Sequence, residues 1–278
     1  MTRTAFLTLA RELAAFMAMV VGPLVPVALA DAEVPVDVEL VLAVDTSSSM
    51  RAEELGLQRA GYAAAFRSRE VLEAIRNGLH GRIAVTYVEW GAAHSRRILV
   101  PWTVVSGPED AETVATLLDT AKIKNLFQTS ISGAIRYGVR AISDNGYRSA
   151  RRVIDISGDG PNNQGGLVTI ARDDAVSTGV TVNGLPLLMN RAGAGTGEAI
   201  PLDLYYAACV IGGPGSFSRP VNSWEQFPDA VRRKLVQELA WTSPAPDGHL
   251  VGMIRLVSEG PDIDCSIGEK LRFGLQPG

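Results

Sequence analysis

The stretch 38-VELVLAVDTSSSM-50 decides the fold class and also holds the chain's most unusual polar cluster. Its apolar residues run almost without a break to a single carboxylate, Asp45, and four hydroxyl side chains follow directly at positions 46–49. A nearly continuous apolar run is typical of a strand buried on both faces of a parallel sheet. A turn uses one or two hydroxyl residues, so four of them after an acid indicate ligands for a bound group.

Strands and helices alternate on either side of this stretch. The patterns predict strands at 36–45, 81–91, 95–105, 151–158 and 180–189, and helices at 50–77, 108–121, 130–143, 166–177, 203–212 and 223–241. Residues 91–94 join the second and third strands as a hairpin-like connection. The alternation predicts an α/β fold: a doubly wound, mainly parallel sheet with one antiparallel edge strand and helices on both faces. We expect one domain at 31–242 and a C-terminal tail at 243–278 that could pack on it.

The first thirty residues have the pattern of a targeting segment. Arg3 and Arg11 precede the uncharged apolar run 13–30, which ends in Ala-Leu-Ala before Asp31. This pattern predicts a signal peptide at 1–30 and an exported protein, periplasmic or secreted, without a stable membrane span after cleavage. The run is also long enough to cross a bilayer, so an uncleaved N-terminal membrane anchor is the alternative.

Net charge and cysteine content indicate which binding partners and which redox compartment the sequence favours. The net charge of −4 shows no basic footprint for nucleic acid. The basic run Arg232-Arg233-Lys234 is interpreted as a solvated helix face. The two cysteines, Cys209 and Cys265, predict a disulfide if the protein is exported, whereas in a reducing compartment they would be two small buried hydrophobic residues.

Oxygen-bearing side chains follow three segments that should end at one edge of the sheet. They are Asp45, Ser47 and Ser49 after the first strand, Thr129 in the loop before a helix, and Asp159 after the strand at 151–158. Ligands bind at the carboxyl ends of strands in open α/β sheets. Carboxylate and hydroxyl oxygens suit Mg²⁺, Mn²⁺ or Ca²⁺, whereas zinc prefers nitrogen and sulfur. A helix cap is the alternative for Asp45 and the hydroxyls after it.

Three motifs in this order resemble the metal-ion-dependent adhesion site (MIDAS) of von Willebrand factor A (vWA) domains, including integrin I domains. They are D-x-S-x-S at 45–49, Thr129 with Ala134 five residues later, and the Asp159-Gly160 pair. The resemblance covers residues 36–242 and is closest to a bacterial group of exported vWA-like proteins.

That resemblance implies a Rossmann-like vWA fold with a divalent cation, most often Mg²⁺. Ser47, Ser49 and Thr129 would bind the ion directly, Asp45 and Asp159 would act mostly through bound water, and an acidic residue of a protein partner would complete the coordination. The family pattern prefers glycine two residues before the loop threonine, and this chain has Phe127 there.

Patterns typical of enzymes are weak. His80, His94 and His249 lack metal-ligand spacing, no G-x-S-x-G elbow occurs, and the G-x-G-x-G at 193–197 is interpreted as a flexible loop. We therefore expect no enzyme but an exported metal-dependent protein-binding module of adhesion type. The alternatives are a structural or assembly scaffold with a stabilising metal, and a metal-dependent hydrolase.

Three further polar residues lie on or near the strand at 151–158. Asp155 lies within a buried strand and is interpreted as a satisfied core carboxylate. The alternatives are a pair with a nearby arginine and a hydrogen-bond acceptor that supports the site. Asn162 and Asn163, in the sequence GDGPNNQGG, are interpreted as turn residues, and a position at the rim of the site is the alternative.

Overall fold

A computed structural model describes residues 33–189, 201–240 and 263–274. Its strands are β1 (Val34–Pro35), β2 (Glu39–Asp45), β3 (Ile83–Trp90), β4 (Arg96–Val105), β5 (Tyr147–Arg148), β6 (Arg152–Gly158) and β7 (Val180–Pro186). Its helices are α1 (Ala52–Arg67), α2 (Arg69–Arg76), α3 (Pro108–Thr120), α4 (Ile131–Ser143), α5 (Val168–Ser177), α6 (Leu202–Tyr205), a π-helical turn (Tyr206–Val210), α7 (Phe227–Leu239) and α8 (Ile267–Arg272).

Five strands form the main sheet in the order β4-β3-β2-β6-β7. Strand β2 pairs in parallel with β3 and β6, β6 pairs in parallel with β7, and only β4 runs antiparallel, on the outer side of β3. The predicted fold class is confirmed, including the antiparallel edge strand. The sequence patterns did not predict the small parallel pair of β1 and β5.

Strand β2 supplies two hydrophobic cores because alternate side chains of a strand point to opposite faces of the sheet. Leu40, Leu42 and Val44, with Val38 just before the strand, pack with residues of α1, α2, α3 and α7. Val41 and Ala43 pack on the other face with residues of α4 and α5. Burial on both faces explains the continuous apolar run before Asp45, and each large apolar side chain buried there contributes about 1.5–3 kcal/mol.

Helix boundaries differ most from the predicted ones in three places. The helix predicted at 50–77 is broken at Ser68, which is extended (φ −72°, ψ 143°) and whose hydroxyl accepts a hydrogen bond from the N–H of Val71 at 3.4 Å. Helix α7 begins at Phe227 rather than Ser223, because Pro228 favours the first turn of a helix and the residues before it form turns. The helix predicted at 203–212 is the short α6 followed by the π-helical turn.

The predicted disulfide is confirmed. Cys209, in the π-helical turn, is bonded to Cys265, with 5.5 Å between their Cα atoms. No helix among the residues of the three described ranges is long and apolar enough to cross a membrane. The predicted signal peptide at 1–30, the glycine-rich stretch 193–197 and His249 lie outside the described residues.

Candidate metal centre

Two of the predicted ligand loops leave the sheet side by side. Strands β2 and β6 are neighbours, with Val44 opposite Ser157 in parallel register. Asp45 is therefore the last residue of β2 beside the end of β6, and Asp159 follows that end directly. The register explains why side chains more than a hundred positions apart in the sequence lie close together.

A chain of hydrogen bonds joins these two loops. The hydroxyls of Ser47 and Ser49 are 3.0 Å apart, and the Ser49 hydroxyl donates to Oδ1 of Asp159 at 2.8 Å. Oδ1 of Asp45 accepts the backbone N–H of Ser47 at 2.7 Å. The structure thus brings four of the five predicted ligand residues into one cluster, in which Asp45 and Ser47 are buried and Ser49 is exposed.

Asp45 has an environment that disfavours its charge. Its Oδ2 is buried and has no hydrogen-bond partner. Burial raises the pKa of the Asp45 carboxyl well above its usual range, and the nearby negative charge of Asp159 raises that pKa further, while hydrogen bonds from Ser47 and from the backbone of Asp159 oppose the rise. Among the described residues no Lys, Arg or His forms an ion pair with Asp45. A divalent cation would supply the missing positive charge, so the residues present fit a metal ion.

Thr129 lies on a loop that is tied to both of the others. Its N–H donates to Oδ1 of Asn163 at 3.0 Å, and the N–H of Asn163 donates back to the carbonyl of Thr129 at 2.9 Å. The same loop is held to the first one by the N–H of Leu126, which donates to the Thr46 carbonyl at 2.7 Å, and by the side-chain amide of Asn125. Thr129 is 7% exposed, so its side chain is enclosed by these loops.

The loop before Thr129 has no glycine at the position where the family pattern prefers one, and its left-handed residue lies one position later. The left-handed backbone conformation falls on Gln128 (φ 65°), not on Phe127. Non-glycine residues adopt this conformation at a cost, and such strain is concentrated at functional sites. Phe127 itself is 77% exposed, so this large apolar side chain is turned outward beside the cluster.

Asn162 and Asn163 have more specific roles than the predicted turn. Asn162 is fully buried, and its Oδ1 accepts the N–H of Ser132 at the start of α4, at 2.9 Å. The backbone N–H of Asn162 donates to the Tyr205 hydroxyl at 3.1 Å. The two asparagines therefore hold the loop after β6 against the loop before α4. Their adjacency in a glycine-rich loop was the only sequence signal for this role.

The prediction that Lys234 lies on a solvated helix face is wrong. Lys234 is instead the buried cation that pairs with Asp155. Lys234 is 1% exposed, and its Nζ lies 2.7 Å from Oδ1 of Asp155. The partner of Asp155 is thus a lysine of α7 rather than an arginine. Arg232 and Arg233, the neighbours of Lys234, pair with acids nearer the surface, because only the inner face of a helix contacts the sheet.

Donors of the zinc type do not gather in the described part of the chain. There, no group of three or more His, Cys, Asp or Glu side chains could hold a metal ion. The N–H of His80 donates to Asp37, which precedes β2, so His80 lies at the opposite end of that strand from Asp45. A metal centre at Asp45 would therefore depend on hydroxyl oxygens, as hard cations accept.

The family described as "Protein of unknown function (DUF1194)" matches residues 35–243, more than half of the sequence. The chain belongs to this family. No curated protein matches the DUF1194 chain.

Solved structures similar to this DUF1194 chain share its fold. Proximal thread matrix protein 1 from the mussel byssus, with a zinc-occupied MIDAS motif, is 16% identical over 74% of this chain and 48% of its own, with a TM-score of 0.50. The pilus adhesin SpaC from Lactobacillus rhamnosus GG is 12% identical over 73% of this chain and 30% of its own (TM-score 0.52).

A von Willebrand factor type A protein from Catenulispora acidiphila is 12% identical over 74% of this chain and 43% of its own (TM-score 0.51). The DUF1194 chain thus spans less than half of the length of each of these three proteins. At such identities the likeness shows the fold alone, and that fold is a vWA-like domain.

Proposed function

We propose that the protein is an exported, metal-dependent protein-binding module of adhesion type. Ser47, Ser49 and Thr129 would hold a divalent cation through their hydroxyls, and Asp45 and Asp159 would act mostly through bound water. The observation that carries this proposal is the carboxylate of Asp45, which is buried beside a second acid with one oxygen unpartnered. Burying an unpaired carboxylate costs free energy, and a bound cation would offset that cost.

The donor set favours Mg²⁺, with Mn²⁺ or Ca²⁺ as alternatives. Mg²⁺ is bound by few carboxylates and usually keeps several waters, which agrees with a cluster of three hydroxyls and two acids. The zinc-occupied MIDAS of the mussel protein supports a divalent cation in a domain of this fold. When bound, the ion would act as a Lewis acid that attracts negatively charged oxygen.

Neutral ligands around the ion explain why a partner would be acidic. Hydroxyls contribute no charge, and acids that act through water neutralise the ion less than direct carboxylates do. The cation would therefore attract an Asp, a Glu or a C-terminal carboxylate from a partner protein. The adhesin among the structural neighbours supports protein binding, and the disulfide agrees with export to an oxidising compartment, periplasmic or extracellular.

Selection of peptides from a random display library tests this function. The Mg²⁺-loaded native protein would be the target, and the Asp45→Ala variant would remove peptides that bind elsewhere. We expect recovered peptides to contain Asp or Glu, to lose binding when that acid becomes Asn or Gln, and to dissociate in chelator. Peptides that bind equally well in chelator and to Asp45→Ala would contradict the proposal and favour the scaffold alternative.

A further inference from the structure

The C-terminal segment 263–274 is seated against the loop that follows β6. Its Ile267 is 4% exposed, and Gly268 lies so close to the loop that an added Cβ would be 2.1 Å from the carbonyl oxygen of Asn162. Only glycine permits this approach. The segment is held at its other end by the disulfide of Cys265 with Cys209.

Two polar contacts connect this segment to the asparagine pair. Oε1 of Glu269 accepts a hydrogen bond from the side-chain amide of Asn162 at 2.6 Å. The guanidinium of Arg272 donates to the carbonyl of Asn163 at 3.2 Å. Since Asn163 exchanges two hydrogen bonds with Thr129, only one residue separates the segment from a proposed metal ligand.

The disulfide favours this docking on physical grounds. Helix α8 has six residues, far fewer than an isolated helix requires in water, so it depends on packing against the domain. The disulfide joins residues 56 positions apart. Such a link limits the conformations that the segment could adopt if it left the domain, so the entropy gained on undocking is smaller. Without the disulfide, only the burial of Ile267 and the contacts of Gly268, Glu269 and Arg272 would hold the segment.

We propose that segment 263–274, fixed by the Cys209–Cys265 disulfide, positions Thr129 for the cation, so that full metal affinity requires the oxidised disulfide. This inference rests on the proposed metal-dependent function. Asn163 is the positioning residue: it acts through the backbone of Thr129 and is not itself a ligand. Loss of partners that orient metal ligands commonly weakens metal binding about 10–100-fold, and the same range is expected here.

Two measurements on the full chain separate the positioning from the metal binding. Amide hydrogen exchange of Thr129 in chelator-stripped protein reports the Asn163 contact without any metal, with the exchange of Leu42 in the sheet as the internal control for global unfolding. Calorimetric titration with Mn²⁺ reports the affinity. Both are made on oxidised native protein and on Cys209→Ser/Cys265→Ser.

A second pair of variants keeps the disulfide intact. Gly268→Ala forces the segment away from the Asn162 carbonyl, whereas Leu271→Ala changes a side chain that is 57% exposed on the same helix. We expect the cysteine variant and Gly268→Ala to exchange the Thr129 amide at least about tenfold faster and to bind Mn²⁺ about tenfold more weakly. In Gly268→Ala, which keeps the disulfide, the exchange of Leu42 should be unchanged. Leu271→Ala should behave as native. If the cysteine variant does not fold, Gly268→Ala decides.

Native exchange at Thr129 in Gly268→Ala would overturn the positioning role, and so would unchanged Mn²⁺ affinity despite faster exchange. If native protein binds no Mn²⁺, the proposed function is refuted. The claim that the disulfide raises metal affinity is then refuted as well. The exchange of Thr129 would then still support or overturn the part that concerns positioning.

Discussion

Two buried carboxylates on neighbouring strands, Asp45 of β2 and Asp155 of β6, have opposite surroundings. Asp155 has a cation from the chain itself, Lys234, at 2.7 Å. Asp45 has Asp159 beside it, and no Lys, Arg or His of the described residues forms an ion pair with it. A buried charge is tolerated when it is paired. The comparison shows that the fold supplies its own cation, Lys234, to the acid within the sheet and supplies none to the acid at the sheet edge. Under the proposed function, that second cation would come from solution.

The Asp155 cluster ties the last long helix to the sheet. Lys234 also pairs with Glu238 one turn later, and Oε1 of Glu238 accepts a hydrogen bond from Asn183 of β7 at 3.0 Å. The ammonium lies 4.9 Å from the centroid of the Phe217 ring, a cation–π contact. Lys234 thus provides an opposite charge to both carboxylates of this cluster, although both oxygens of Asp155 and Oε2 of Glu238 have no hydrogen-bond partner.

The largest expected effect is that of removing the internal cation. Lys234→Met leaves Asp155 and Glu238 buried together, and breaking a buried ion pair from one side costs about 3–5 kcal/mol. Urea unfolding should show this loss in the free energy of unfolding, whereas Arg233→Met, at a side chain 63% exposed, should change it little. A loss below about 1 kcal/mol for Lys234→Met would mean that the pair is not structural.

Supplying the external cation should have the next largest effect. A ligand that binds only the folded state stabilises it by about 2.7 kcal/mol at a free concentration one hundred times its Kd. Thermal unfolding in Mg²⁺ should show this gain for native protein and for Arg233→Met, and no gain for Asp45→Asn. An equal gain in Asp45→Asn would place the bound ion somewhere other than at Asp45.

The two acids should respond to neutral replacement with opposite signs in metal-free protein. Asp45→Asn removes repulsion with Asp159, keeps an acceptor for Ser47 and adds a donor, so we expect a gain of about 1–2 kcal/mol in stability at neutral pH. Asp155→Asn removes a partner of Lys234 and should lower stability. The check is urea unfolding of both variants in chelator, and a loss of stability in Asp45→Asn would show that its carboxylate is already compensated.

A further expected effect is a pH dependence within the Asp155 cluster. Burial, and then the charge of Asp155, raise the pKa of Glu238 from 4.5 to about 7, while Lys234 opposes the rise. The folded state therefore binds a proton at Glu238 between these values and the unfolded state does not, so stability should rise as pH falls from about 7 to 4.5. Glu238→Gln should remove this part of the slope when unfolding is measured between about pH 5 and pH 8. Identical slopes would assign the dependence to other groups.

Local patterns predicted the features that depend on local chemistry. The apolar run ending at Asp45 gave the central strand, and the register of β2 with β6 explains why Asp45 and Asp159 lie together. The break at Ser68 also had a local signal, a serine that caps the next helix, which the apolar periodicity of 50–77 obscured.

Features that depend on tertiary packing could not be predicted in the same way. Lys234 stands in a basic run, and nothing in that run shows which residue faces the sheet. The roles of Asn162 and Asn163 depend on Ser132 and Thr129, about thirty positions earlier, and on the C-terminal segment. Such partners become visible only when the loops are placed in space.

The most direct test of the central claim is calorimetric titration of chelator-stripped protein with Mg²⁺, Mn²⁺ and Ca²⁺, beside the Asp45→Ala/Ser47→Ala variant. The account predicts saturable binding of one ion by the native protein and none by the variant. Two results would contradict the central claim, which is that the buried Asp45 carboxylate takes its cation from solution. One is no binding by the native protein, and the other is equal binding by the native protein and the variant.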